Sequence, residues 1–349
     1  MGLSDEIRQE DSSDLLRLRR ERDSAVHLAA NLKEQLEVAH RALTVIDATT
    51  NAILEPPAWL SPEKPKQKSA TVIAMLSDTH FDEVVQPQEV DGLNAYNREI
   101  AVLRLEAWSQ NLIKMTRHYL AGIKYDGCVL MLGGDMFSGD IHEELSETNA
   151  DTLLSSLLFW SEQIAAVVGL LAEEFGKVHV PVVVGNHGRT TRKPRMKLRA
   201  KTNYDWLLGK MVERHFAKDR RVTFLIPEGS DAFFDVYGHG QLLTHGDQAH
   251  GGGGIGGIYP PIMRLRARKA QRYLATGQNF STLWMGHWHQ YLPSPSLVVN
   301  GSLKGLDEYA FINNFGHEVP QQAMAIVTPE HGITVQAPIF SMNRKKEGW

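Results

Sequence analysis

Cysteine is almost absent: Cys128 is the single one among 349 residues. No internal disulfide can form, and no thiolate cluster can hold a structural zinc. A reducing, cytoplasmic setting is the expectation. No uninterrupted apolar run reaches about 18 residues, so no membrane span is expected. The opening MGLSDEIRQEDSSD lacks both the basic start and the apolar stretch of a secretory signal. There is no repeat of fixed period. Nor is there a large excess of one charge, with 37 basic and 41 acidic side chains and a net charge of −4. Apolar residues at 42% and charged residues at 22% exclude a mainly disordered or collagen-like chain.

The near-neutral total hides a split. Residues 189–201 (RTTRKPRMKLRAK) hold seven basic and no acidic side chains, and residues 264–272 (RLRARKAQR) hold five and none. Without those twelve, 25 basic side chains face 41 acidic ones. Positive charge concentrated at two places points to an anionic partner at a defined location.

Three stretches differ in texture. In residues 1–49, positions 15, 18, 22, 25, 29, 32, 36, 39 and 43 alternate spacings of three and four, and eight of the nine are apolar or small. Four heptads of this kind predict a helical coiled coil and a homo-oligomer assembled through residues 15–43. Residues 50–70 hold four prolines and read as a linker in which Trp59 and Leu60 dock on the rest. Residues 71–349 alternate short apolar runs with helical stretches. Strands are expected at 71–76, 128–132, 180–184, 240–244, 282–285, 296–299 and 323–327, with helices at 94–121, 149–175 and 264–272. Early strand–helix alternation followed by closely spaced strands predicts an α/β fold with a mixed sheet or two sheets.

Polar residues gather just past the expected strand ends: Asp78 and His80 in SDTH, Asp135 in GGD, Asn186 and His187 in GNH, His245 in HGD, and His287 and His289 in GHWH. Ligands bind at the carboxyl ends of strands in open α/β sheets. Carboxylates, an amide oxygen and imidazoles without sulfur suit manganese, iron or zinc. D-x-H and H-x-H spacing puts both members on one side of an extended segment. Seven or eight such ligands exceed the needs of one ion and suit a pair about 3.5–4 Å apart.

The order D-x-H, G-D, G-N-H, H, G-H-x-H resembles the calcineurin-like metallophosphoesterase superfamily over residues 71–302. In motif style it is most similar to SbcD-type DNA repair nucleases and their phage and bacterial relatives. The resemblance implies a four-layer α/β/β/α sandwich carrying the N-terminal helical (coiled-coil) extension. It implies Asp78, His80, Asp135 and His289 around a first ion, and Asp135, Asn186, His245 and His287 around a second. Manganese comes first, with iron, zinc and magnesium as alternatives. It implies phosphoester hydrolysis in which the ions polarise the phosphoryl oxygens and activate water, with His187 as the catalytic group facing the phosphate. One departure stands out. The family follows its G-N-H with an acid that orients the histidine, whereas Gly188 and Arg189 follow here. Asp82, Asp140 and Asp247 are the candidates for that role. Arg189 is expected as a catalytic phosphate clamp, because guanidinium grips phosphate with two donors.

The basic run begins two residues after His187 and leads to Tyr204 and Trp206. A cationic loop with aromatics beside a hydrolytic centre suits nucleic acid, DNA before RNA. Arg192, Lys193, Arg195, Tyr204 and His250 are the expected substrate-binding residues. His250 opens a loop with six glycines over 251–257; it lacks the lysine of a phosphate-binding loop. Arg264, Arg268 and Arg272 recur every fourth residue on one helical face. His142 is expected as a surface residue at a helix start, and His239 as a turn residue. Two other functions fit the same residues: a phosphomonoesterase or small-nucleotide phosphodiesterase, and a coiled-coil scaffold with a vestigial metal site.

Overall fold

The computed structural model describes residues 22–27, 29–30, 33, 57–61, 69–251 and 257–349. Two compact units divide the chain, Met1–Ala52 and Ile53–Trp349. In the first, residues 22–27, 29–30 and 33 are helical. The rest of the 15–43 heptad span, and the assembly expected from it, lies outside the described residues.

The second unit begins with β1 (Ser69–Leu76), α1 (Arg98–Lys114), β2 (Lys124–Leu132), α2 (Glu143–Thr148), α3 (Leu153–Phe175), β3 (Val178–Pro181), α4 (Tyr204–His215) and β4 (Val222–Leu225). It continues with β5 (Asp231–Val236), β6 (His239–Thr244), α5 (Tyr259–Leu274), β7 (Thr282–Met285), β8 (Leu292–Ser294) and β9 (Leu297–Val299). It ends with α6 (Glu308–Ile312), β10 (Gln321–Thr328), β11 (Gly332–Phe340) and α7 (Arg344–Glu347).

One sheet has six strands in the order β11-β10-β1-β2-β3-β4, and the other has five in the order β5-β6-β7-β9-β8. β1, β2, β3 and β4 run parallel, in register Ile73↔Val129 and Val178↔Val222. β6, β7 and β9 also run parallel. Parallel pairing brings successive carboxyl ends to one edge of each sheet, which is where the ligand-type residues follow.

The sheets pack face to face. Ile73, Met75, Val129 and Met131 of the first meet Phe234, Leu243, Trp284 and Val298 of the second in one buried cluster. Each such side chain contributes about 1.5–3 kcal/mol on burial. α1 and α3 cover the outer face of the six-stranded sheet. α5 covers the five-stranded one through Ile262, packed with Leu242, Leu283 and Met285. The expected α/β/β/α order of layers is therefore what forms.

α3 is a core helix. Leu157, Trp160, Ile164, Val168 and Leu171 recur at three and four and are buried, and Gly176 at φ 74° ends it. By length and composition α3 is apolar enough to cross a membrane. Polar interruptions such as Glu162 hide this from a search for continuous runs. Half of its most apolar stretch is buried in the fold.

Trp59 and Leu60 do dock. Leu60 is fully buried in the inter-sheet cluster, and Trp59 packs against it. A Cβ on Gly127 would lie 2.5 Å from the Trp59 ring, so glycine there makes the seat.

Candidate metal centre

The loops after β1 and β2 zip together. The backbone N–H groups of Asp78, His80 and Phe81 donate to the carbonyls of Gly134, Asp135 and Met136 at 3.1, 3.2 and 2.8 Å. The loop after β3 lies against them: a Cβ on Gly134 would come 2.4 Å from Gly185 N, and one on Gly185 would come 2.0 Å from Asp135 Oδ1. The loop after β7 closes the ring, since a Cβ on Gly286 would lie 2.2 Å from Asp78 Oδ2. The glycines before the ligand-type residues are thus needed for close approach.

Three groups of side chains result: Asp78, His80 and His289; His80, Asp135 and His187; Asp135, His245 and His287. Within each, the potential ligand atoms lie within 4.8 Å of one another. His80 joins the first group to the second, and Asp135 joins the second to the third. Asp78, His80, Asp135 and His245 are buried, while His187, His287 and His289 are half-buried at the rim.

Hydrogen bonds set the imidazoles in one sense. His187 Nδ1 lies 2.8 Å from the Ser138 carbonyl, and His245 Nδ1 lies 2.9 Å from the Gly133 carbonyl. His80 Nδ1 faces Glu83 Oε2 at 3.0 Å, an ion-pair distance without hydrogen-bond geometry. With Nδ1–H facing an acceptor, each neutral ring keeps its Nε2 lone pair for the centre. His80 Nε2 and Asn186 Oδ1 are buried with no partner. His245 Nε2 lies 2.9 Å from Asp135 Oδ2, a contact that needs a proton or a cation between the two. Among the described residues no lysine or arginine pairs with Asp78 or Asp135; their charged-type contacts are His289 at 3.5 Å and His245 at 2.9 Å. Buried carboxylates left uncompensated cost several kcal/mol each. Divalent cations fit this donor set: hard oxygens and imidazole nitrogens, no sulfur, with lone pairs converging.

The electrostatics agree at four of these groups and depart at His245, whose ring carries a proton against Asp135 that a cation must displace. Burial would raise both carboxyls, yet the imidazoles hold Asp78 below and Asp135 well below the ordinary range. Burial, then Lys304 and His187, push His80 down to about 4. Burial, then the charge of His245, bring His287 down to about 4. These rings are neutral at neutral pH, as ligands must be. At His245 burial acts downward too, but the Asp135 carboxylate carries it up to about 10.

Backbone strain concentrates here. Asp78, His80, Asp135, His287 and His289 hold φ between 44° and 71°, a left-handed conformation that costs on the order of 1–3 kcal/mol per non-glycine residue.

Several sequence expectations are corrected. Among the described residues no acid bonds the His187 ring; the Ser138 carbonyl holds it. Asp82 instead holds Arg98 and Trp160, Asp247 holds Arg199, and Asp140 is exposed. Arg189 is committed to its own loop, its guanidinium donating to the carbonyls of Thr191, Asn186 and Arg192 at 2.9, 2.6 and 2.9 Å. That departs from a phosphate clamp. Arg192 pairs with Glu143 on the surface, while Lys193 and Arg195 are exposed. Tyr204 is half-buried, and Trp206 at 4% exposure is core rather than a stacking platform. His250 is exposed, and residues 252–256 of its loop lie outside the described residues. His142 is exposed at the start of α2, its ring 6.2 Å from that of His187. His239 opens β6 and reaches the Pro329 carbonyl, so it is not in a turn.

Two supporting residues had no motif to announce them. Glu83 faces His80 and is itself neutralised by the buried Lys304 at 2.7 Å; its place three residues after His80 was the available signal. Asp205 is 1% exposed. Its carboxylate accepts the backbone N–H groups of Asp135, Met136 and Gly185 at 3.0, 3.2 and 2.8 Å, so it binds two ligand loops together. Burial and then Asp135 raise it to about 6.

No protein-family model and no curated protein matches the sequence. Solved structures similar to it at a distance include the following three. One is a conserved uncharacterized protein described as a predicted phosphoesterase from Streptococcus pneumoniae, at 11% identity over 78% of this chain and 98% of that one, with a TM-score of 0.26. Another is a zinc complex of Vps29 from Entamoeba histolytica, at 11% identity over 77% and 99%, with a TM-score of 0.31. The third is the sulfate thiohydrolase SoxB from Thermus thermophilus with glycerol, at 11% identity over 79% and 57%, with a TM-score of 0.31. Likenesses this distant leave the chemistry to be read from the chain's own residues.

Proposed function

We propose that the chain is a dinuclear-metal-dependent phosphoesterase that hydrolyses phosphodiester bonds, with DNA as the polymeric substrate. The observation that carries this is the shared Asp135: one buried carboxylate stands between two groups of converging imidazoles and carboxylates. Asp78, His80, Asp135 and His289 would hold one ion, and Asp135, Asn186, His245 and His287 the other, with manganese suited to the oxygen and nitrogen donors. Such ions supply Lewis acidity toward a phosphoryl oxygen and toward water.

The chain's own residues do the rest. His187 stands at the rim beside His80, ring centroids 4.5 Å apart. With Nδ1–H held on the Ser138 carbonyl, Nε2 is the atom left facing the leaving oxygen, and in the imidazolium form it donates a proton there. Glu83, Gly133 and Asp205 keep ligand rings and loops from rotating away. Lys193, Arg195 and Lys197 make no ion pair among the described residues, and Arg264, Arg268 and Arg272 are exposed along α5. These supply the sequence-independent attraction that a polyanion needs.

The test compares bis-p-nitrophenyl phosphate with p-nitrophenyl phosphate in Mn²⁺, before and after chelation. Faster, chelator-sensitive cleavage of the diester is expected. Preference for the monoester would move the assignment to a phosphomonoesterase, and no cleavage of either would favour the scaffold. DNA affinity should fall steeply with salt; absence of binding at low salt removes the DNA substrate.

A further inference from the structure

Beside Asn186 the loop that follows the candidate centre folds over a small pocket lined by Asn186, Arg189, Arg195, Arg199, Asn203 and Asp247. Three guanidinium groups against one carboxylate make it cationic. Arg189, tied to three carbonyls of its own loop, shapes the wall. Arg199 is held from one side: Nη1 and Nη2 clasp Asp247 at 2.8 and 2.9 Å. Its Nε–H is buried and has no partner. A buried donor left in that state is destabilising, and an acceptor oxygen in the pocket would satisfy it. Arg195 makes no hydrogen bond or ion pair among the described residues. Asn186 lines this pocket and is the residue assigned above to the second ion, so on that assignment whatever fills the pocket adjoins the group being cleaved.

We propose that this pocket is a second anion subsite, which binds the phosphate next to the scissile one through Arg199 and Arg195. It rests on the phosphodiesterase assignment and deepens it: the substrate is a chain of phosphates, not an isolated diester. Arg199, rather than Arg189, is the guanidinium that recognises it.

Arg199→Lys keeps a charge opposite Asp247 but deletes the Nε–H and the planar fork. Arg195→Gln is an exposed change that spares the fold. Each variant is compared with the parent, in Mn²⁺, on bis-p-nitrophenyl phosphate, which has one phosphate, and on a fluorescein-labelled oligothymidylate, which has several. The ratio of kcat/KM, oligonucleotide over bis-p-nitrophenyl phosphate, should fall at least about tenfold in Arg199→Lys, the scale of one charge-assisted hydrogen bond. It should fall less in Arg195→Gln. An unchanged ratio in both variants overturns the subsite. Inorganic phosphate, added as an inhibitor of bis-p-nitrophenyl phosphate cleavage, separates the two sources of anion. If Arg199→Lys weakens that inhibition while the ratio holds, the pocket takes free phosphate and the proposal is wrong. Should the parent cleave neither diester, the underlying assignment fails. Fluorescence anisotropy then decides the subsite alone, and equal oligothymidylate affinity in parent and Arg199→Lys overturns it.

Discussion

The two ends of the parallel strands are built to opposite specifications. At the amino ends of β1 and β2 every polar group named has a partner: the Tyr237 hydroxyl donates to Asp126 at 2.9 Å and accepts from Thr71 at 3.0 Å, while Ser69 donates to Asp126 at 3.2 Å. Tyr237 also has a left-handed φ of 56°, but the Tyr237–Gly238 hairpin turn requires it. At the carboxyl ends, five ligand-type residues hold left-handed backbone, and His80 Nε2 and Asn186 Oδ1 are buried without partners. Both ends fold from the same strands, so strand chemistry alone does not explain the contrast. One end completes itself with protein atoms; the other leaves converging lone pairs and carboxylates that cations would complete.

Substitutions at the two ends sharpen that contrast. Asp135→Asn should have the largest effect, because one carboxylate serves both halves of the centre. Manganese binding and turnover should fall by more than the roughly 100-fold upper end for supporting residues. Isothermal titration with Mn²⁺ and diester kinetics read this, and near-normal binding would break the shared-carboxylate account. Asp205→Asn replaces an acceptor of three backbone N–H groups with a side chain that is half donor. Metal affinity should fall about 10–100-fold while circular dichroism shows a folded domain. Unchanged affinity would reduce Asp205 to a structural residue. His187→Ala should keep full metal content by elemental analysis yet lose about tenfold or more in kcat, the low side of general acid catalysis; equal turnover would remove its role. Tyr237→Phe at the opposite end should cost about 1 kcal/mol of stability, seen as a lower denaturant midpoint. It should leave metal binding and rate alone, and a change in either would mean that the two ends are coupled.

Much of this was legible in the sequence because strand ends and ligand motifs are local. The runs TVIAML and CVLML announce β1 and β2, and the polar residues after them announce the rim. β5 is less legible: Ala232, Phe234 and Val236 alternate with half-buried positions, and the apolar Phe233 among those masks the period of two. α4 was missed because the 189–201 charge run drew its start, Tyr204–Asp205–Trp206, into a substrate role. Trp206 proves to be core and Asp205 the buried clamp on two ligand loops. Asp205 acts on Asp135 from 70 positions away, a relation no spacing rule can see. Arg189 is the converse case: its place beside His187 suggests a substrate role, and backbone carbonyls of its own loop claim the guanidinium instead.

The most direct measurement is anomalous diffraction at the manganese edge from crystals grown with excess Mn²⁺. Two peaks are predicted, one bounded by Asp78, His80 and His289, the other by Asn186, His245 and His287, with the Asp135 carboxylate touching both. No peak within this cluster, with His245 Nε2 still against Asp135 Oδ2, would contradict the paired-cation account.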